Sequence, residues 1–200
     1  MAGRISIPCP ACNEPLPISD DYFVRHFEGK PAACGKCGAQ LDWWTTASHD
    51  IEAGYVFARE SGTSADESWK SMADAFESYS HQRYPSMIVP ANAAVESGLS
   101  GLLSRHLPSL VSKRRADDFP DAAASYAHRL NVLLPMIAHY NGIPQLPPDV
   151  HVALGKLRVL RNDLAQGGVA SSTLDARAAA ELLCGALFGV QYLRYVEGRL

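Results

Sequence analysis

Two groups of residues in this chain have types and spacings that suit chemistry. The first is Cys9-Pro10-Ala11-Cys12 with Cys34-Gly35-Lys36-Cys37, two Cys-x-x-Cys knuckles 21 residues apart. Each knuckle offers two thiolates, and four thiolates complete a tetrahedral shell around Zn2+ at about 2.3 Å per Zn–S bond. All four positions are cysteine, so no coordination site is left open to a substrate and the expected zinc is structural. Gly35 and Gly38 suit a backbone that curls toward the metal, and His26 and His49 are the alternative ligands. The second group lies in Leu157-Arg158-Val159-Leu160-Arg161-Asn162-Asp163-Leu164-Ala165-Gln166-Gly167-Gly168. On a helical wheel of about 100° per residue, Val150, Ala153, Leu157, Leu160 and Leu164 share one side. Arg158, Asn162 and Gln166 follow at four-residue spacing on the adjacent polar side, with Arg161 at the edge of the apolar stripe. An arginine there serves either a structural ion pair or a phosphate, whose oxygens its planar fork matches.

Different elements position the two groups. The first fifty residues are rich in Pro, Gly, Cys and aromatics. They read as a β-rich zinc ribbon (1–50), with strands at Arg4–Ile7, Tyr22–Phe27 and Gln40–Trp44. A domain this small needs a metal staple because its core alone is marginal. Residues 51–64 read as a linker, with Gly54–Ala58 a further strand of the ribbon. Ser64-Ala65-Asp66-Glu67 has the form of a capping box, and Trp69, Met72, Ala73, Phe76 and Tyr79 then recur at helical spacing. From there to residue 200 the expectation is a bundle of about five helices. Pro90 marks a start or kink, Pro108 an end, and Lys113-Arg114-Arg115 a basic loop. Phe119-Pro120-Asp121 opens a helix carrying Tyr126, Leu130, Leu133 and Leu134, which Pro135 kinks and Asn141-Gly142 stops. A helix over about 149–166 bears the ridge, and Ser171-Ser172-Thr173 starts the last helix, where Cys184 reads as a buried structural thiol. The fold class is therefore mainly α, behind a small β-rich ribbon.

Hydrophobic residues at 47% allow a sizeable core. A net charge of -3 gives no global drive toward nucleic acid, so any such contact must come from local basic groups. The N-terminus lacks the apolar core of a signal peptide. The longest apolar run, Leu182–Val190, is about half of a bilayer span. Together with paired rather than scattered cysteines, this suggests a cytoplasmic protein with no membrane association. No Gly-rich phosphate loop, Gly-x-Ser-x-Gly or His-Glu-x-x-His is present.

The segment Leu157-x-x-Leu160-Arg161-Asn162-Asp163-Leu164-Ala165-Gln166-Gly167 resembles the Arg-Asn-x-x-Ala-His-Gly motif of the HEPN superfamily. Pro90–Leu103, with Glu96, resembles that family's early bundle helix, and Leu133–Pro144 resembles the connection before its motif helix. The resemblance covers roughly residues 65–195 and implies an all-α bundle, a homodimer with motifs facing across the two-fold axis, and metal-independent RNA cleavage. In that family the Arg stabilises phosphate and the His moves a proton or orients the 2′-hydroxyl. Here Gln166 replaces the His. Glutamine has no proton to exchange near neutral pH, which implies a site of Arg161, Asn162 and Gln166 that holds RNA through Arg158 and Arg161 with weakened or lost catalysis. His151 lies about four turns earlier on the same helix; His128 and His139, on the preceding helix, are the imidazoles that offer rescue. Two alternatives stand beside this one. One is a protein-interaction module whose ribbon docks a partner. The other is an active endoribonuclease with a base from outside the motif.

Overall fold

The structure is a computed structural model that describes residues 5–18, 22–30, 32–61, 67–110, 125–167 and 174–200. It is mainly helical, with two small antiparallel sheets near the N-terminus. Strands β1 (Ser6–Pro8) and β2 (Pro15–Pro17) pair with Ile7 opposite Leu16, and β3 (Ala32–Ala33) pairs with β4 (Gln40–Leu41). Between the sheets, Tyr22–Phe27 is helix α1 and not a strand. As a helix it puts Phe23 and Phe27 one turn apart on one buried face, and tertiary burial of that face overrides the β-propensity of its aromatics. Likewise, strand β4 stops at Leu41. Asp42 then caps α2 (Trp43–His49) by accepting the Trp44 N–H at 3.0 Å. The segment expected as linker or extra strand is α3 (Ile51–Ser61), in which Ile51, Tyr55 and Ala58 recur at helical spacing and are buried.

Helices α4 (Glu67–Ser80) and α5 (Tyr84–Leu110) pack along each other. Pro90 does not start α5, which already begins at Tyr84-Pro85, and Pro108 lies inside the last turn of the helix, which runs on to Leu110. Next come α6 (Tyr126–His128), a π-helical turn (Arg129–Leu133) and α7 (Leu134–Tyr140). The irregularity expected at Pro135 appears just ahead of it as the π turn, and Pro135 takes an early position in α7, where its missing N–H is tolerated. Gly142 follows in the left-handed region at φ 64°. Helix α8 (Pro148–Ala165) carries the ridge, and Gly167 at φ 75° lies just past its end. Asp175 caps α9 (Ala176–Glu197). The Ser64–Asp66 part of the capping box, Lys113–Arg115, Phe119–Asp121, Gly168 and Ser171–Thr173 lie outside the described residues.

Helix α9 is the hub. It packs against α8, α5, α4, α3, α2 and α1, and its middle is buried on every face. One continuous apolar core joins the N-terminal segment to the bundle. Phe23 meets Phe188 edge-on at 4.9 Å between centroids, and Phe27 meets Tyr192 at 5.4 Å. The Tyr192 hydroxyl donates to the Pro144 carbonyl at 2.7 Å, tying α9 to the loop that leads into α8. Among the described residues, no helix is long and apolar enough to cross a membrane.

Candidate functional site

The four knuckle cysteines come together. Their sulfurs lie within 4.8 Å of one another, with Cys9–Cys37 at 3.9 Å and Cys12–Cys34 at 3.7 Å. Four sulfurs about 2.3 Å from a central ion form a tetrahedron with edges of about 3.8 Å, so the cluster can hold a metal ion. The two knuckles share one turn geometry. The residue four after each first cysteine, Asn13 at φ 61° and Gly38 at φ 70°, is left-handed and donates its N–H back to that cysteine's carbonyl. Gly38 thus has the conformation expected of it, and Asn13 performs the same turn in the other knuckle. Lys36 bridges the knuckles by donating to Glu14 at 2.7 Å. The N–H groups of Cys37 and Lys36 bring the Cys34 thiol down to about 6. At Cys12 the Glu14 amide pulls the same way, but burial and the neighbouring sulfurs push the thiol up to about 12.

His26 is occupied elsewhere. Its Nε2 lies 3.2 Å from Asp149 Oδ2, and His26, Asp42 and Asp149 place their ligand-type atoms within 4.8 Å of one another. His49 is exposed at the end of α2. Cys184 is fully buried, and burial, with Asp149 and Asp42 nearby, pushes its thiol well up, as expected of a packed, unreactive group.

The ridge of α8 opens on a second site. Arg158, Arg161 and Asn162 line a cavity of about 230 Å3 together with Asn92 and Glu96 of α5 and Tyr126 of α6. Asn92 and Glu96 sit one turn apart, and Asn92 Nδ2 faces Glu96 Oε2 at 3.4 Å. Three contacts hold the walls. Arg129 donates to Ser100 at 2.9 Å, pinning the π turn to α5. His151 and Asn131 meet at 2.8 Å, pinning α8 to the same turn. Ser125 accepts the His128 N–H and caps α6. Arg161 Nη1 donates to Asn162 Oδ1 at 3.1 Å.

Two oxygens in these walls, Asn92 Oδ1 and the Tyr126 hydroxyl, are buried without a hydrogen-bond partner. Asn92 is only 2% exposed. Burial raises Tyr126 well above the usual tyrosine value; Glu96 adds to the rise and Arg158 opposes it, so the phenol stays protonated. The cavity therefore offers guanidinium donors, a carboxylate and two unsatisfied oxygens in one small space. That set suits a polar ligand carrying both acceptors and donors.

The structure thus brings Arg158, Arg161 and Asn162 together, and adds Glu96. Gln166 does not line the cavity; it is the exposed C-cap of α8, its N–H turned back to the Asn162 carbonyl. The three histidines are elsewhere too: His128 and His139 are exposed, and His151 is spent on Asn131. Sequence reasoning missed Asn92 and placed Tyr126 on its helix without a role in the site. The signal for Asn92 was an amide on the buried stripe of α5, four residues before Glu96. Beside the cavity, Arg158 also borders an apolar groove of about 980 Å3 between α8 and α9, formed in part by Trp44, Val159, Leu160 and Leu182. Compared with protein-family models, with curated proteins and with solved structures, the chain matches none.

Proposed function

We propose that this chain is an RNA-binding protein of HEPN type whose cleavage activity is weakened or lost, with its N-terminal segment held by structural zinc. The observation that carries the reading is the polar cavity: two guanidinium groups and a carboxylate around two buried oxygens with no partner. Leaving such a group unpaired costs about 1–3 kcal/mol, a cost that a ligand bond offsets. Arg158 and Arg161 are the phosphate contacts, and Asn162 orients Arg161. Gln166 stands outside the cavity, and no histidine lines it among the described residues, so the arrangement favours holding RNA over cutting it. Soft thiolates in a tetrahedral set favour zinc, and reduced ligand cysteines suit a cytoplasmic setting. The zinc supplies rigidity here, and no reacting group approaches it.

The test is fluorescence anisotropy with a single-stranded RNA of mixed sequence. Affinity is expected to fall linearly with log salt, and Arg161→Ala to weaken it by about ten-fold while lowering the salt slope by about one. A folded wild type that ignores RNA at low salt overturns the reading. A second reading, an interaction module, draws on the apolar groove and on Val152 and Val159, which are 54% and 59% exposed beside it. Its occupant would be a second copy of this chain, docked through α8. It prevails if RNA is not bound and Arg161→Ala merely unfolds the chain.

A further inference from the structure

Resting on the RNA-binding reading of the polar cavity, we propose that the cavity seats one unstacked guanine. Glu96 and Asn92 face its N1–H and N2 amino edge, and Arg158 faces O6 and N7.

The unsatisfied groups select this base. On α5, the Glu96 carboxylate and Asn92 Oδ1 are two acceptors one helical turn apart on the same face. Asn92 turns its amide nitrogen toward Glu96, and its Oδ1 is left buried in the cavity wall without a partner. Across the cavity, Arg158 supplies the donor fork, and no ion pair joins it to Glu96 among the described residues. Guanine is the one standard base with two adjacent donors on one edge and two adjacent acceptors, O6 and N7, on the other, and an arginine fork on O6 and N7 is the commonest specific contact to a base. Adenine would set its N1 lone pair against the carboxylate. Cytosine and uracil would set a carbonyl there. Each would leave buried acceptors unpaired, the penalty by which polar sites discriminate most strongly.

The remaining groups fit the same ligand. Arg161 is exposed at the rim and partly committed to Asn162, a position suited to backbone phosphate. Tyr126 keeps its proton and contributes one O–H to the base without adding charge. The cavity of about 230 Å3 holds roughly eight waters' worth of space at about 30 Å3 each. That is the scale of a single base, and sequence-specific RNA recognition generally takes splayed-out bases.

The experiment titrates GMP, IMP, AMP, CMP and UMP separately into the full zinc-loaded chain, read by NMR shift changes. GMP is expected to bind at least about ten-fold more tightly than AMP, CMP or UMP, with IMP in between because it lacks the N2 amino group. Glu96→Gln should lose about ten-fold for GMP and little for AMP. If that variant does not fold, 7-deaza-GMP on the unaltered chain replaces it and should bind more weakly than GMP. Equal binding of all nucleotides, or none of GMP, overturns the guanine assignment. If RNA still binds through Arg161 in that case, the RNA-binding reading stands alone. Selection of GMP by a chain that ignores RNA removes the RNA reading and leaves the guanine pocket.

Discussion

At the scale of single residues, Asp149 shows how a position in α8 serves both fold and site. It sits in the first turn of α8, where its Oδ1 accepts the Val150 N–H at 2.9 Å and its Oδ2 faces His26. Burial alone would raise its carboxyl, but His26 and the backbone N–H hold it below the ordinary 3.8. A carboxyl lowered on folding adds stability above its unfolded value and loses it as pH falls through the folded one. Asp149→Asn keeps the acceptor for Val150 and removes the charge, so it should cost about 0.5–1 kcal/mol near neutral pH, the pair being partly exposed. Urea midpoints of the two proteins should converge as pH falls below 3.8, where Asp149 takes up its proton. A gap that persists unchanged in acid would show that Asp149 acts by shape alone. Residues of this kind were only partly legible. The cysteines, Arg158, Arg161 and Asn162 could be read because spacing determines what they face. The fate of Gln166 could not, since one residue at a helix end decides whether a side chain points along the ridge or away from it.

At the scale of elements, the crossing of α8 and α9 sets where the ridge stands. Gly185 makes the close approach possible: a Cβ built there would lie 2.5 Å from Ala153 Cβ and 3.2 Å from the Trp44 ring. A backbone-proximal methyl cannot move aside as a flexible side chain can. Gly185→Ala should therefore push the helices apart and cost about 1–3 kcal/mol, seen as a lower urea midpoint. Ala153→Gly in the same chain should recover most of that loss; an unchanged midpoint in the single variant would mean that the helices cross less tightly. The long helices were legible for the same reason that they are stable. In α4, α8 and α9 the apolar residues recur at the helical period over three or more turns, and Pro148 and Asp175 sit at the starts of α8 and α9. The short helices α1, α2 and α3 were not, because their aromatic and β-branched residues favour strands locally. What makes them helical is burial against Phe188 and its neighbours, a contact more than a hundred residues away in sequence.

At the scale of the whole molecule, the thiolate cluster and the bundle form one packed body through α1. The first knuckle precedes α1 and the second follows it, so an ion bound by all four sulfurs closes a loop around that helix. Tyr22, Phe23 and Phe27 then press on Phe188 and Tyr192 at the centre of α9. Metal binding to a folded chain adds stability by mass action, and an ion held by these four sulfurs would pass that stability to the hub helix through the aromatic contact. Elemental analysis should give about one zinc per chain. Chelation under reducing conditions should lower the melting temperature of the whole chain by roughly 10 °C, since several kcal/mol of linkage translates at about 2–4 °C per kcal/mol at this size. Near-UV circular dichroism should weaken as the α1–α9 rings loosen, while most far-UV helix signal persists in α4, α5, α8 and α9, and added zinc should restore both. If the stripped protein melts and absorbs as before, the cysteines only decorate a fold that the aromatic core already holds, and the metal is not its staple.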